Sequence, residues 1–318
     1  MTIEIPIDTL YKQSMPPAPR HILYGEPPAS LVPIAPGAVQ CSPLIIGSMR
    51  LMDLAPESIE TATLYAPANT IERRMVLART LAALSVGGQL TALARKDKGG
   101  SRLASELTAF GCTVTDIPRQ HHRIVTTTRP QELMGIDAAI AAGAYQRHPA
   151  HGLWTHAGVF SWDRIDEGSA LLVNHLPPFS GRGADLGAGI GVLARAVLTS
   201  PAVTALTLIE RDRRALESAK RNIADPRATF VWADVRDAQL PTGLDFVVMN
   251  PPFHDTGVED KTLGQTFLKA ASGMLKTGGQ CWLVANRHLP YEALLSECFS
   301  SHRVVIDTAG FKIFESVK

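Results

Sequence analysis

The sequence has little of what marks secreted, metal-bound or membrane-embedded proteins. It has four cysteines that stand far apart with no paired spacing: Cys41, Cys112, Cys281 and Cys298. This argues against a disulfide framework or a cysteine zinc site and indicates reduced thiols. No apolar run approaches the roughly 20 residues that a membrane helix needs, and residues 1–6 carry no signal for export. We therefore expect a cytoplasmic protein without membrane spans.

Metal-ligand patterns are also missing. Histidine is a common metal ligand, and three candidates are His156, His175 and His254. None of them has a second histidine at helical spacing with a neighbouring acid. We expect no metal site.

An excess of charge of one sign is nearly absent, because the chain carries 31 Lys and Arg against 30 Asp and Glu. Proteins that bind nucleic acid are often basic overall. The charge is uneven, however, and residues 95–129 are locally basic, with Arg95, Lys96, Lys98, Arg102, Arg119, Arg123 and Arg129 against Asp97, Glu106 and Asp116. For any single one of these residues a solvated face is the alternative.

A glycine-rich turn is present, formed by Gly187, Gly189 and Gly191. It follows a short run ending at Asp185 and precedes residues 192–198, which have helical spacing. This order predicts a strand, a tight turn and a helix whose free N–H groups face a ligand. We assign Asp185 to organising the turn, and a plain structural turn is the alternative.

Two further apolar runs each end in an acid. Residues 206–209 run into Glu210, 23 positions after Gly187, where a carboxylate can accept the hydroxyls of a ribose. Residues 228–233 run into Asp234, which suits the amino group of an adenine. Together with the glycine turn, these acids predict a site for a nucleoside cofactor.

A buried run at 244–249 leads directly into Asn250, Pro251, Pro252 and Phe253. An amine conjugated to a ring is a poor nucleophile, because its lone pair is spread into the π system. If the Asn250 side-chain oxygen and the Pro251 carbonyl accept its two N–H groups, the lone pair is aimed at an incoming methyl group. The prolines would stiffen the loop, and Phe253 would stack on a planar base. A stiffened loop with Phe253 in the core is the alternative.

These residues resemble the class I methyltransferases that use S-adenosylmethionine. With residues 160–169, 253–257 and 284–291 added, the chain is similar to the bacterial ribosomal RNA guanine-N2 methyltransferases, most of all the small-subunit (16S) enzymes, specifically over residues 151–318. The resemblance implies that residues 160–169 fold over the cofactor, with Phe160 and Asp166 as contacts. Alternatively, Asp166 and Ser169 cap a helix at 170–175.

The two halves of the chain look like one fold used twice. The triplet Gly-Gly-Gln occurs at residues 87–89 and again at residues 278–280, and we expect both glycine pairs to stop a helix before a strand. At that offset Asn250 corresponds to Ile59, where no Asn-Pro-Pro occurs, and the first half has no glycine triplet like that of the turn. The predicted fold is α/β: two tandem Rossmann-like methyltransferase domains with mostly parallel sheets, a degenerate one at 1–150 and a catalytic one at 151–318.

Two stretches lack any clear period. Residues 1–36 are rich in proline and are predicted to form a loosely structured arm, and residues 145–152 a linker.

The function expected from these patterns and the resemblance is methyl transfer from S-adenosylmethionine to N2 of a guanine in ribosomal RNA. The substrate would be the RNA or the small ribosomal subunit, with the protein acting as a monomer. Arg95, Lys96, Lys98 and Arg102 would contact RNA phosphates. Adenine N6, cytosine N4 and a protein glutamine amide remain alternative targets, as does a non-catalytic RNA-binding assembly factor.

Overall fold

The structure is a computed structural model that describes residues 19–236, 239–252, 254–255, 258–259, 261–289 and 291–318. Phe253 and the first half of the predicted proline-rich arm at 1–36 fall outside the described residues. The chain divides into two compact units. Unit 1 comprises Met1–Ser42, Met49–Pro67 and Arg73–Ala138, and unit 2 comprises Pro43–Ser48, Ala68–Glu72 and Ala139–Lys318. No helix in the described part of the chain is long and apolar enough to cross a membrane.

The amino-terminal half contains six strands and two helices that form one α/β layer structure within the described residues. In chain order they are β1 (His21–Tyr24), β2 (Val39–Gln40), β3 (Ile59–Tyr65), α1 (Thr70–Ala83), β4 (Leu84–Arg95), α2 (Leu103–Ala109), β5 (Val114–Arg119) and β6 (His122–Thr128). The strand order is β2-β1-β3-β4-β6-β5. The pairs on the β2 side are parallel, while β4 with β6 and β5 with β6 are antiparallel.

A connecting region follows, made of α3 (Ile136–Ala142), β7 (Gln146–Arg147), β8 (Trp154–Thr155) and α4 (Glu167–Val173). The stretch predicted as a linker therefore contributes a strand, because β7 pairs with β8 in an antiparallel ladder. Similarly, the predicted arm contains β1, which lies between β2 and β3 in the sheet. Such a short strand cannot show a period, and proline signals around it conceal it.

The carboxyl-terminal half repeats this layout with more helices. Its elements are β9 (Gly181–Leu186), α5 (Val192–Val197), β10 (Val203–Glu210), α6 (Arg213–Asn222), β11 (Ala228–Trp232), β12 (Leu244–Met249), β13 (His254–Asp255), β14 (Val258–Glu259), α7 (Lys261–Met274), β15 (Leu275–Asn286), α8 (Glu292–Cys298), β16 (Ser301–Asp307) and β17 (Phe311–Val317). The strand order of the main sheet is β11-β10-β9-β12-β15-β17-β16, parallel except for the two pairs that involve β17. The prediction of two mostly parallel sheets is confirmed, and each sheet ends in an antiparallel edge hairpin.

Strand β12 shows why this sheet is buried on both faces. Along it, Val247 and Met249 belong to one apolar cluster, and Phe246 and Val248 to the other. Helices cover both faces of a parallel sheet, so its inner strands are continuously apolar instead of alternating. The apolar core holds β12 in place, and its carboxyl end delivers Asn250 to the sheet edge.

The offset between the two Gly-Gly-Gln triplets also relates α1 to α7 and β4 to β15, as the first residues of these elements show. It does not hold for the strands that precede the helices. Thr61 pairs with Gln89, and Phe246 pairs with Gln280, so Thr61 of β3 corresponds to Phe246 of β12. Counting on from this pair, the counterpart of Asn250 is Tyr65, and the predicted match to Ile59 is wrong. The reason is that the connection from β12 to α7 is longer than the one from β3 to α1.

The two glycine pairs do not lie between a helix and a strand, as predicted, but inside β4 and β15. Both strands show a register irregularity there. A Cβ on Gly88 would lie 2.8 Å from the Ser85 carbonyl, and one on Gly279 would lie 2.9 Å from the Leu244 carbonyl. The glycines thus permit a close backbone approach at a bulge.

Candidate functional site

Nine of the predicted cofactor and catalytic residues line one cleft of about 480 Å³ at the carboxyl ends of the strands of unit 2: Phe160, Asp166, Gly187, Gly189, Glu210, Asp234, Asn250, Pro251 and Pro252. A smaller recess of about 50 Å³ shares Phe160, Asp166, Gly187, Gly189 and Asn250 with it. The cleft is lined mostly by apolar side chains, among them Ile209, Ala233, Val235, Pro251, Pro252, Leu263, Phe267 and Phe311. Ligands of open α/β sheets bind at this edge, where the strand order reverses.

Gly187 and Gly189 of the glycine turn line the cleft, and the three glycines of the turn have different reasons to lack a side chain. All three have positive φ: 77° at Gly187, 54° at Gly189 and 89° at Gly191. A Cβ on Gly191 would lie 2.8 Å from Ile223 Cδ1, and one on Gly187 would lie 3.0 Å from the Phe267 ring. A Cβ on Gly189 would meet no protein atom within 4 Å. Gly189 lines both cavities, so a side chain there would occupy ligand space.

Asp185 is fully buried behind this turn. Its Oδ2 accepts the Ala194 backbone N–H at 3.0 Å, which holds the first turn of α5 against β9. Its Oδ1 is buried with no hydrogen-bond partner among the described residues. Burial raises the pKa of Asp185 to about 7, the Ala194 N–H opposes this, and the charge of Glu210 adds to it. This placement agrees with the predicted role of Asp185 in organising the turn.

Glu210 is the last residue of β10 and lines the cleft. Its Oε2 accepts the Gly189 N–H at 2.8 Å, and its Oε1 accepts the Asp212 N–H at 2.8 Å. Desolvation raises the pKa of Glu210 to about 7, although these backbone donors favour the ionised form. The carboxyl group is thus tied to the glycine turn and borders the space that a ribose would need.

Asp234 also lines the cleft, but its carboxylate is already engaged. Arg236 donates its backbone N–H and two guanidinium N–H groups to it at 2.6–2.9 Å. Arg211 lies 3.3 Å away. The hydrogen bond from Arg236 lowers the pKa of Asp234. A carboxylate offers about four acceptor positions, so an adenine amine would have to share this one with two arginines.

Asn250 follows β12 directly, and the protein fixes the direction of its amide. Nδ2 donates to Asp166 Oδ2 at 2.7 Å and to Ser169 Oγ at 2.8 Å. Both amide hydrogens are therefore used by protein acceptors. The amide oxygen is the group that remains to accept a hydrogen bond from a target amine.

Asp166 is at the same time the N-cap of α4, since its Oδ2 accepts the Ser169 N–H at 2.8 Å. The helix begins at Glu167, so the predicted helix at 170–175 starts too late. A Cβ on Gly168 would lie 3.1 Å from the Phe311 ring, so glycine allows α4 to approach the edge hairpin. The cap that was an alternative to a functional role is present, and the same carboxylate contacts Asn250.

Phe160 borders both cavities and is 70% exposed, which is unusual for a phenylalanine and leaves its ring open at the mouth of the cleft. Pro251 and Pro252 line the cleft beside Asn250. The predicted stacking residue Phe253 lies outside the described residues.

Sequence reasoning missed several residues of the cleft. These are Leu44, Arg211, Arg236, Phe267, Asn286 and Phe311. Asn286 ends β15 and pairs with Phe311, so the antiparallel edge hairpin supplies one wall. A single sequence gives no signal for Leu44, whose carbonyl accepts a hydrogen bond from Arg211 Nε at 3.3 Å. Among the described residues, no group of three His, Cys, Asp or Glu side chains is placed to hold a metal ion.

The four basic residues assigned to RNA lie in unit 1. Arg95 ends β4, and Lys96, Lys98 and Arg102 lie in two short 3₁₀ turns that follow it. All four are exposed. Arg95 forms an exposed ion pair with Asp97. All four residues thus lie within eight positions of one another at the carboxyl end of β4.

Comparison with known proteins gives the same family in two ways. The family model described as Methyltransferase small domain matches residues 150–315. The chain is 31% identical over 268 residues to the ribosomal RNA small subunit methyltransferase C of Erwinia tasmaniensis, covering 81% of this chain and 76% of that protein. It is 31% identical to the protein of the same description from Shewanella piezotolerans over 236 residues, covering 73% and 69%.

Among solved structures, the chain is similar to the 16S rRNA N2 methyltransferase of T. thermophilus in complex with AdoMet and guanosine. The two share 26% sequence identity at a TM-score of 0.71, with 84% of this chain and 75% of the other covered. The similarity therefore extends over both α/β halves of the chain.

Proposed function

This chain belongs to the family of ribosomal RNA small subunit methyltransferases C, and from that premise we propose that it transfers a methyl group from S-adenosylmethionine to the exocyclic N2 amine of a guanine in 16S ribosomal RNA. The observation that carries the proposal is the oriented amide of Asn250 at the border of the cleft that Glu210 and the glycine turn also line.

The residues of the cleft fit the cofactor. Gly189 leaves open space where any other residue would project a side chain, and Glu210 brings a half-buried carboxyl group to the same cleft. We assign Glu210 to the ribose hydroxyls, Asp185 to holding the glycine turn, and Asp234 to the adenine amine. Phe160 would cover the cofactor at the mouth. When bound, the cofactor supplies an electrophilic methyl group on a sulfonium.

The protein's contribution to the reaction is to position the target amine against the methyl group. The amine lone pair forms the new N–C bond, the C–S pair stays on sulfur, and the amine then loses one proton to water. If Asn250 Oδ1 and the Pro251 carbonyl accept the two N–H groups of the amine, its lone pair points at the methyl group. Orientation of this kind lowers barriers without a strong base. Pro251 and Pro252 hold the acceptors, because the proline ring locks the backbone angle φ.

The choice of guanine N2 over another planar amine is supported by the relatives. The T. thermophilus structure is described as an N2 methyltransferase with guanosine bound, and both bacterial relatives are described as acting on the small-subunit RNA. Adenine N6, cytosine N4 and a protein glutamine amide present the same kind of planar amine and are distinguished by the products of the assay below. A ribosomal substrate would place the protein in the cytoplasm.

For the amino-terminal domain we propose support and RNA docking without catalysis. At the positions that correspond to Asp185 and Asn250 it carries Leu23 and Tyr65. Its exposed Arg95, Lys96, Lys98 and Arg102 would neutralise RNA phosphates. We expect the protein to act as a monomer.

The test is to incubate the purified chain with methyl-labelled S-adenosylmethionine and either small ribosomal subunits or deproteinised 16S RNA. The products are then digested to nucleosides and separated. We expect label in N2-methylguanosine. Label in N6-methyladenosine or N4-methylcytidine, or in a protein glutamine, would replace the proposed target, and RNA binding without any transfer would favour an assembly factor.

A further inference from the structure

We propose that Asp166 and Ser169 are positioning residues that set the direction of the Asn250 amide, so that its oxygen and not its nitrogen faces the target amine. The inference rests on the proposed function, since it concerns how the same site is prepared for transfer. It assigns to Asp166 a role different from the cofactor contact predicted from the sequence.

The first step is the symmetry of an asparagine side chain. Its amide can turn end for end with little change in shape, which exchanges an acceptor oxygen for an NH₂ donor. Only the oxygen can accept a hydrogen bond from a target amine. An asparagine in this position therefore needs a partner that distinguishes its two ends.

Asp166 is that partner because an ionised carboxylate only accepts hydrogen bonds. Its Oδ2 lies 2.7 Å from Asn250 Nδ2. The reversed amide would place Oδ1 next to that carboxylate, with two acceptors in contact and both amide hydrogens removed from their partners. Ser169 Oγ, at 2.8 Å, takes the second hydrogen.

The second step is that Asp166 is itself held. The same Oδ2 accepts the Ser169 N–H at 2.8 Å as the N-cap of α4. The partial positive charge of a helix N-terminus favours a carboxylate there. α4 is in turn anchored by Leu172, which is fully buried, and Gly168 lets the helix lie close to the Phe311 ring, which a Cβ there would approach to 3.1 Å. The direction of the Asn250 amide is therefore fixed by a helix that is packed into the core.

The third step concerns charge. During transfer, positive charge develops on the amine nitrogen before its proton leaves. A carboxylate that accepts from Nδ2 pushes electron density through the amide toward Oδ1, which strengthens Oδ1 as an acceptor. Asp166 would thus stabilise the transition state more than the bound substrate, and its effect should fall on kcat.

The experiment compares Asp166→Asn with the wild type for kcat, for KM and for cofactor affinity by calorimetry. Asparagine caps a helix about as well as aspartate, so the melting temperature should stay close to that of the wild type. We expect kcat to fall about 10- to 100-fold, the range typical of partners that orient a functional group, with cofactor affinity unchanged. Ser169→Ala should lower kcat less, because the cap and the carboxylate remain.

Two controls separate this role from others. Asp137→Asn makes the same change at an exposed acid in the first turn of α3, outside residues 160–169, and should leave kcat unchanged. A double-mutant cycle then tests coupling: once Asn250 is replaced by Ala, adding Asp166→Asn should cost roughly nothing further.

Three results would overturn the inference: unchanged kcat in Asp166→Asn, a fall in cofactor affinity that matches the fall in turnover, or a loss that adds in full to that of Asn250→Ala. The second would restore the cofactor contact predicted from sequence. Failure of the proposed function looks different, because the wild-type chain itself would then show no methyl transfer.

Discussion

The six strands of the first sheet have the same order as six of the seven strands of the second, and the two sheets differ in the residues at the carboxyl ends of their parallel strands. In both sheets an inner parallel strand is followed directly by a glycine with φ of 77°. This is Gly25 after β1 and Gly187 after β9. The pairing of β1 with β3 and of β9 with β12 makes Leu23 the counterpart of Asp185. No helix follows Gly25 within residues 25–38. Leu23 therefore supplies no carboxylate that could hold a helix start as Asp185 does.

The neighbouring strands show a second contrast. Gln40 ends β2, and its Oε1 accepts the N–H groups of Gly25 and Ser42 while its Nε2 donates to the Gly25 carbonyl at 2.9 Å. Glu210 ends β10 and likewise accepts a glycine N–H and the N–H two residues ahead. The Gln40 amide both accepts from and donates to the backbone of Gly25. The Glu210 carboxylate has only acceptors, and it borders an open cleft.

At the third position Tyr65 stands where the second sheet has Asn250. The Tyr65 hydroxyl lies 3.4 Å from His122 Nε2. The Tyr65 hydroxyl is not the planar amide acceptor that the proposed chemistry requires. Apolar strands and helices thus give both halves the same scaffold, while the polar residues at the carboxyl ends of three strands differ between them.

The largest expected effect comes from removing Asn250. Asn250→Ala should lower kcat about 10²–10³-fold, as for other single groups that act mainly in the transition state, with cofactor affinity preserved. Tyr65→Phe is the matched change at the counterpart position and should leave kcat as it is. Near-normal turnover in Asn250→Ala would mean that the amine is held by other groups.

The pH dependence of stability sharpens the contrast between Asp185 and Leu23. The folded-state pKa of Asp185 is raised from 3.8 to about 7, so the carboxyl group favours the folded state when it is protonated. This stability is fully present below about pH 4 and is lost as the pH rises toward 7, at about 1.4 kcal/mol per unit of pKa difference.

Asp185→Asn should therefore flatten the fall in melting temperature of the cofactor-free protein between pH 4 and 7. Glu210, whose pKa is also raised to about 7, should leave a residual slope in the variant. If melting temperature changes with pH in the same way in the variant and the wild type, ionisation of Asp185 does not destabilise the folded protein.

Glu210→Ala should weaken cofactor binding by roughly 1–3 kcal/mol, the cost of losing a partner for a buried polar group. Gln40→Ala is the control in the first sheet, and calorimetry should show no change in cofactor affinity for it. Equal affinities for Glu210→Ala and the wild type would assign the ribose to another group, such as Asp234.

The smallest effect should come from the basic surface of the first sheet. Replacing Lys96 and Lys98 with Ala should leave cofactor binding unchanged and weaken RNA binding. The salt dependence of RNA affinity should fall by about 0.7–0.9 in log–log slope per lost phosphate contact. The control is the pair Lys220 and Lys269 changed to Ala, which removes the same charge from unit 2. Matching slopes in the two double variants would argue against docking by Lys96 and Lys98.

The sequence predicts the sheet edge better than it predicts the polar network behind it. Strand β12 and the acid at the end of β10 could be found because apolar runs that end in a polar residue are local patterns. The partnership of Asp166 with Asn250 could not, since the two residues are 84 positions apart and their contact depends on how α4 packs. The same holds for the arginines around Asp234.

Strand β1 and the longer connection before α7 were missed for a different reason. A strand as short as β1 has too few positions to show a period, and a fixed offset between repeats assumes loops of equal length. Loops tolerate insertions far better than strands do, so the offset between two copies changes at a loop while the ladders on either side keep their register.

The most direct test of the central claim, that only the second sheet holds a cofactor, is calorimetric titration of the full chain with S-adenosylmethionine. The account predicts one site per chain, with an affinity that falls in Glu210→Ala and is the same in Gln40→Ala as in the wild type. Two sites per chain, or one site whose affinity depends on Gln40 and not on Glu210, would contradict it.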